Sequence, residues 1–510
     1  MPGSLAEVRG QLKPFRYHAF VRRAFVTLMF SALLACRAHQ TAPAPRVIFV
    51  GLDGADWQLL DRLMSDGTMP NLARLAREGD RRVLRTQHPP LSPLVWTTMM
   101  TGVSPLEHRI LDFTRFNPVT REREPITSDE RVVPAIWNMA SSAGKKVAVF
   151  GLWATYPAET VNGTIVSDRL FTFQHDALPA PGCVYPPSQE GWARGVLADV
   201  LRSSDRSLQG RVVTETELIH RLARERIARD RPDLAVVYFQ GTDAMGHLLA
   251  PKVPKEYFAR IDAIVGDYAK LAHDLDAQLI IASDHGFDWF GAHGSGTGVT
   301  TAAQWHRDEG IYLEFPRRAS GGELRVNQIC SILLGRLGMP ADVEHYRRDY
   351  RRARIAAATH ASNDDRLAEL KALGYLGSAE PSRAPAGSTS TRTAASFDNE
   401  GLLLREAGRE EAAVAAFESA LKIDPHSSSA MWNFASLLVA RGRRALEQND
   451  CRAALADFRR AEPLLPRDAI VHASAGTAEL CLGDEAAAKR EFAASLAIDP
   501  NQPRLRELIR

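Results

Sequence analysis

Four short apolar runs mark the first part of the chain, each ending on or beside a glycine or aspartate: RVIFVGL (46–52), KKVAVFGL (145–152), LAVVYFQG (234–241) and AQLIIASD (277–284). A run of this length without polar alternation, bounded by turn formers, predicts a strand buried on both faces. Between the runs lie segments of helical periodicity, such as PNLARLAREG (70–79), which opens on proline and stops at glycine. Strands alternating with helices predict an α/β domain whose mainly parallel sheet is covered on both faces.

The pattern changes after SAEPSRAPAGSTSTRTAA (378–395), a low-complexity stretch that reads as a linker. Beyond it, small residues, phenylalanine and proline recur: Gly401, Ala413, Phe417, Ala420 and Pro425 in one copy, Gly476, Ala488, Phe492 and Pro500 in another, with Ser495 in the third small position. Ala435, Ala454, Phe458, Ala461 and Pro466 make a middle copy, with about seven extra residues near 440–449. The offsets resemble the 34-residue tetratricopeptide repeat, which implies stacked helix pairs and a concave groove for a peptide or protein. NQPRLRELIR would begin a capping helix. The expected division is 1–36 signal segment, 46–376 catalytic domain, 378–395 linker, and 396–510 three repeats with the cap.

Formal net charge is +2, but residues 1–35 hold five basic side chains against Glu7 alone, leaving 58 basic and 60 acidic residues in the remainder. That balance gives no support for nucleic-acid binding. The basic Arg22-Arg23 pair leads into AFVTLMFSALLA, a 12-residue uncharged run ending at Cys36. It is short for a bilayer crossing and suits the apolar region of a secretion signal. LLAC resembles a bacterial lipoprotein processing site, which implies a lipidated Cys36 and membrane attachment in the cell envelope, facing the periplasm where the cell has an outer membrane. A cleaved soluble export signal and an uncleaved anchor are the alternatives. The other cysteines (Cys183, Cys330, Cys451 and Cys481) are scattered and form no CxxC pair, so neither a zinc finger nor a disulfide scaffold is expected.

Candidate chemistry gathers at the ends of the apolar runs. Asp53 follows the first, Asp243 the third, with His247 four residues on, and Asp284-His285 the fourth. The carboxyl edge of an α/β sheet is where ligands bind, and carboxylate plus imidazole is a ligand mix for zinc, with manganese or iron as alternatives. Asp53, Asp284 and His285 supply three ligands; Asp243 and His247 supply two and need a third. His293, in the glycine-rich GAHGSG, and His306, before a glycine and an apolar run, are both available, and His306 is favoured. PPLSPLVWTTMMTG (89–102) carries four hydroxyls, Ser92, Thr97, Thr98 and Thr101. His108 reads as structural, and RRDYRRAR (347–354) as a solvated helix face.

GLDGADW, PPLSPLVWTTMMTG, GTDAMGH, SDHGF and HRDEGI, in this order, resemble the alkaline phosphatase superfamily, within it the type I phosphodiesterase/nucleotide pyrophosphatase group. The resemblance covers about 46–376. It implies a doubly wound α/β core and two divalent metals, one on Asp53, Asp284 and His285, the other on Asp243, His247 and His306. It also implies a metal-bound nucleophile ten residues before the glycine of a Thr-Gly pair; that glycine is Gly102 and the position is Ser92. Ser92 as the cap of the helix that follows is a reading compatible with that role, and backbone N–H groups after it are expected to help neutralise the phosphate oxygens. Thr97, Thr98 and Thr101 then fall inside the helix.

The CxPSR-type motif of sulfatases is absent. No asparagine follows Ser92 as in nucleotide pyrophosphatases, so nucleotide specificity is not implied. Trp153, Tyr156, Arg169 and Phe171 either shape the substrate pocket or belong to the core. The expected function is a two-metal phosphoesterase acting on diesters; the alternatives are a phosphoryl-group transferase of the same superfamily and a non-catalytic scaffold acting through its repeats.

Overall fold

The computed structural model describes residues 45–171, 181–291, 302–317, 322–348, 350, 364–376 and 381–509. Cys36, His293 and most of RRDYRRAR lie outside them. Nine strands form one sheet: β1 (Arg46–Leu52), β2 (Asp80–Arg85), β3 (Val147–Phe150), β4 (Gly163–Val166), β5 (Val184–Tyr185), β6 (Leu234–Phe239), β7 (Ala277–Ala282), β8 (Glu309–Phe315) and β9 (Leu324–Arg325). Their order is β9-β2-β8-β7-β1-β6-β3-β4-β5. The middle of the sheet, from β7 to β4, is parallel, whereas β8 runs antiparallel to both of its neighbours and β5 antiparallel to β4.

Each apolar run supplies two cores, because successive strand side chains point to opposite faces. In β1, Ile48, Val50 and Leu52 join the core under the helices Leu208–Asp230 and Lys255–Leu275, while Val47 and Phe49 join the core under Ser92–Thr101 and Ile329–Arg336. β6 divides in the same way, with Ala235, Val237 and Phe239 on one face and Leu234, Val236 and Tyr238 on the other. Burial on both faces is why these strands show no polar alternation. β7, β1 and β6 pair as adjacent parallel strands, so that their carboxyl ends open on one edge.

Residues 381–393 have linker composition but do not run free. Arg123 N–H donates to Ser382 O (2.8 Å), Ala384 N–H to Arg121 O (2.9 Å) and Phe116 N–H to Thr391 O (2.7 Å), which lays the segment along the antiparallel ribbon Thr114–Phe116/Arg123–Pro125. Thr393 then caps the next helix, accepting from Ser396 N–H (3.0 Å), and its hydroxyl donates to buried Asp112 (2.5 Å). Low-complexity composition predicts few side-chain anchors; here the backbone supplies the attachment.

The C-terminal region is all helical and paired: Ala394–Glu406 with Glu410–Ile423, Ser428–Glu447 with Cys451–Ala461, and Ala469–Cys481 with Glu485–Ile498, followed by Pro503–Leu508. In each pair a glycine meets the ring of a phenylalanine sixteen residues later, Gly401 with Phe417, Gly442 with Phe458 and Gly476 with Phe492. A Cβ on any of these glycines would come within 2.6 Å of its ring. The middle copy is therefore in register on Gly442, not on Ala435. Its first helix has 20 residues where the equivalent helices have 13, and the extra seven add about two turns. That keeps Ala435 and Gly442 on one face. Cys451 and Cys481 form a disulfide between the second and third pairs, which their separate positions in the chain did not lead us to expect. Among the described residues no helix is long and apolar enough to cross a membrane.

Candidate metal centre

Asp53 follows β1 directly and is fully buried. Gly54 turns the chain beside it with φ +64°, a region that favours glycine, and a Cβ there would lie 2.7 Å from Asp243 Oδ1. Asp243 and His247 share a face of the helix Gly241–Leu249, which begins two residues after β6. Asp284 and His285 lie just beyond β7. His306 arrives by a different device, a two-residue ribbon in which it pairs with Phe287. Three neighbouring strands and one ribbon thus bring all six side chains to one edge.

Two clusters result, Asp53 with Asp284 and His285, and Asp243 with His247 and His306; within each, the ligand-type atoms lie within 4.8 Å of one another. His285 Nε2 is 3.5 Å from Asp53 Oδ1 and 3.2 Å from Asp284 Oδ2. His247 Nε2 is 3.3 Å from Asp243 Oδ2, and His306 Nε2 is 3.5 Å from Asp243 Oδ1. The rings of His285 and His306 stack at 3.7 Å, joining the two clusters.

The donor set fits a pair of cations. His285 Nδ1 faces Gly286 O (3.1 Å) and His306 Nδ1 faces Pro90 O (2.7 Å), which assigns a proton to each Nδ1 and turns a bare Nε2 inward when the ring is neutral. His247 Nε2 and His306 Nε2 face each other at 3.2 Å. Asp243 Oδ1, Asp284 Oδ2 and His285 Nε2 are buried without a hydrogen-bond partner. Buried lone pairs left this way are costly unless something positive sits among them.

The charges strain against one another. Burial, then the neighbouring carboxylates Asp284 and Asp243, raise the Asp53 carboxyl well above the usual range. Burial and Asp243 push Asp284 up to about 8. Burial would also raise Asp243, but the imidazoles of His247 and His306 outweigh it and hold Asp243 low. Burial and the adjacent His306 depress His285. Burial works against a charged His306 as well, yet the Asp243 carboxylate holds that ring above the ordinary histidine range.

Ser92 starts the helix Ser92–Thr101 and is buried. Leu91 occupies the cap position without a side-chain hydrogen bond, so Ser92 does not cap; its hydroxyl donates to Asp53 Oδ1 at 3.3 Å. The expected row of amides behind it is absent, since Pro93 has no N–H and the N–H groups of Leu94 and Val95 both bond to Leu91 O. Thr101 bonds to Thr97 O (2.7 Å) and Thr98 to His108 (3.1 Å), inside the helix and its packing. His108 is buried, accepts from Ile110 N–H, and is held down to about 3 by burial and by Arg131, as a structural imidazole would be.

Trp153, Tyr156 and Arg169 are buried in the core, Trp153 donating to Tyr238 OH (2.7 Å) and Arg169 to the carbonyls of Pro125 and Ile126; Phe171 packs against the core edge. Arg347, the first residue of the basic run, pairs with Glu107 (3.0 Å). Sequence reasoning passed over the groups that hold the carboxylates. Trp96 Nε1 (3.2 Å) and Tyr238 OH both donate to Asp53 Oδ2, Thr242 donates to Asp53 O, and Tyr375 OH donates to Asp243 Oδ2. Tyr238 sits mid-run in a strand that reads as core, and Tyr375 is 132 residues from its partner.

Residues 47–377 match the type I phosphodiesterase / nucleotide pyrophosphatase family. That is well over half of the chain, which belongs to this family of the alkaline phosphatase superfamily. Members of this family typically bind two metal ions. Phosphonoacetate hydrolase from Sinorhizobium meliloti 1021, solved with phosphonoacetate, is 21% identical over 48% of this chain, with a TM-score of 0.36; the match spans only 57% of that hydrolase. Murine ectonucleotide pyrophosphatase / phosphodiesterase 5 is 14% identical over 58% of this chain and 96% of its own, with a TM-score of 0.38. No curated protein matches the chain.

Proposed function

We propose that this protein is a two-metal phosphodiesterase with Ser92 as its nucleophile. The observation that supports it most is the set of buried, unpartnered ligand atoms, Asp243 Oδ1, Asp284 Oδ2 and His285 Nε2, beside a buried serine hydroxyl. Asp53, Asp284 and His285 would hold one divalent cation, and Asp243, His247 and His306 the other; zinc suits this mix of carboxylate and imidazole. Such a pair supplies charge stabilisation for attacking and leaving oxygens. Ser92 Oγ attacks phosphorus in line and gives up its proton to solvent as the bond to the leaving oxygen breaks, and that oxygen takes a proton from solvent and departs as the alcohol. Water then attacks the serine-bound phosphoryl ester from the opposite side, releasing a phosphomonoester and returning the Ser92 hydroxyl. Asp53 orients Ser92, and Trp96 and Tyr238 orient Asp53. The first turn of the Ser92–Thr101 helix favours the anionic group electrostatically, although its amides are mostly engaged.

The remaining assignments follow the same reading. The three glycine–phenylalanine contacts support tetratricopeptide repeats that recruit a peptide or protein partner. Arg22-Arg23, the uncharged run and Cys36 support a lipid-anchored, exported protein, and a disulfide in the helical region accords with an oxidising compartment. The test is hydrolysis of an aryl phosphodiester, an aryl phosphomonoester and an aryl sulfate by zinc-loaded and chelated protein. Zinc-dependent turnover with the diester fastest is expected. No turnover on any ester with two metals bound would move the assignment to a transferase.

A further inference from the structure

We propose that Tyr375 is a positioning residue of the centre: its phenol ties down one oxygen of Asp243 so that the other, Oδ1, is the one presented to a cation. The inference rests on the reading of Asp243, His247 and His306 as a cation site. Tyr375 OH donates to Asp243 Oδ2, while Oδ1 of the same carboxylate is buried and unpartnered. Asp53 repeats the arrangement. Its Oδ2 receives Tyr238 and Trp96, and its Oδ1 faces Ser92 and His285. Each cluster thus has an aspartate with one oxygen occupied by a phenol.

The ring of Tyr375 is itself locked. It stacks on Phe113 at 4.7 Å with 22° between planes, and meets the His247 ring edge-on at 5.1 Å. One aromatic side chain therefore supports two of the three members of the cluster, Asp243 through its hydroxyl and His247 through the T-shaped contact of the two rings. The backbone that carries it is anchored as well. Tyr375 N–H donates to Leu370 O (2.9 Å), closing the helix Asp364–Ala372. From that helix Arg366 donates to Gln240 Oε1 (2.9 Å), and Gln240 donates back to Glu369 (3.3 Å). The segment 364–376 so clasps the Gly241–Leu249 helix just before its start and at both of its candidate ligands.

A carboxylate with both oxygens free can swing between one- and two-oxygen ligation. Fixing Oδ2 removes that freedom before any ion arrives, and groups that orient ligands in this way are typically worth 10–100-fold in metal affinity or activity. Tyr375 is thus a part of the site contributed by the chain just ahead of the segment laid along the Thr114–Phe116/Arg123–Pro125 ribbon.

Zinc affinity measured by competition with a chromophoric chelator, on the full chain, tests this. In an Asp284→Ala background, which leaves the Asp243 cluster as the intact one, Tyr375→Phe is expected to weaken zinc by roughly 10–100-fold. In a His247→Ala background, which leaves the Asp53 cluster, the same change is expected to do nothing, and Tyr238→Phe is expected to weaken binding instead. Removing the phenol leaves buried Asp243 Oδ2 without that donor, so chelated Tyr375→Phe is expected to melt somewhat below its parent in both backgrounds. Unchanged zinc affinity in the first background, or equal losses of zinc affinity in both, would overturn the inference. A wild-type chain that binds fewer than two zinc ions would overturn the underlying reading of the centre, and this inference with it.

Discussion

Ser92 Oγ donates to Asp53 Oδ1 across 3.3 Å, and neither side chain is open to solvent. The same carboxylate oxygen is 3.5 Å from His285 Nε2, so one atom joins the hydroxyl to the ligand cluster. Asp53→Asn keeps the shape but replaces half of that carboxylate by a donor. Bound zinc is expected to fall from two ions per chain to one, and diester turnover by on the order of 100-fold or more. Metal analysis of the purified variant beside its rate checks both.

His306 and His293 were both open as the sixth ligand from sequence. His306 lies in the cluster, with Nε2 3.5 Å from Asp243 and 3.2 Å from His247. His306→Ala is expected to lose one zinc ion per chain, while His293→Ala keeps two. Two retained ions in the first variant and one in the second would reverse the assignment.

Two buried groups give the chelated protein opposite pH responses. Asp284 titrates near 8 when folded, against an ordinary 3.8, so between those values the folded state holds a proton that the unfolded chain has lost. Stability of the chelated protein should therefore fall as pH rises from about 4 to about 8, and zinc binding should release protons there. His108 behaves inversely. Its folded value is about 3 against 6.5, so the stability it contributes is present above 6.5 and lost as pH falls toward 3. Melting curves of chelated protein across pH should show the first effect weaken in Asp284→Asn and the second flatten in His108→Gln.

The Cys451–Cys481 disulfide closes a separation of 30 residues between two helix pairs. Chain-entropy arguments assign a loop of this size about 3.6 kcal/mol. Cys451→Ser with Cys481→Ser is expected to lower the unfolding midpoint of the helical region and to leave zinc stoichiometry unchanged, read by denaturant titration with and without reductant.

Legibility in the sequence followed the physical range of each signal. Asp53 and Asp284 stand at the ends of unbroken apolar runs, and Asp243 and His247 four residues apart just past another, so local pattern placed them on one edge. The glycine and phenylalanine spacings likewise announced helix pairs. The middle copy slipped to Ala435 because seven residues are nearly two turns, and both positions share a face. Tyr238 and Tyr375 stayed hidden for a different reason. A tyrosine in an apolar strand or a turn carries no mark of the carboxylate it will meet, and only the packing of residues 364–376 against the start of the Gly241–Leu249 helix brings Tyr375 to Asp243. The attachment of residues 381–393 was equally invisible, because it depends on backbone hydrogen bonds that composition does not encode.

The most direct test of the whole account is rapid-quench hydrolysis of an aryl phosphodiester by zinc-loaded protein, with Ser92→Ala alongside. The account predicts that the quenched wild-type enzyme carries a phosphoryl adduct on the peptide containing Ser92, and that the variant binds two zinc ions but turns over on the order of 10³-fold more slowly or worse. Wild-type turnover in Ser92→Ala with both metals in place, and no adduct on that peptide, would contradict it.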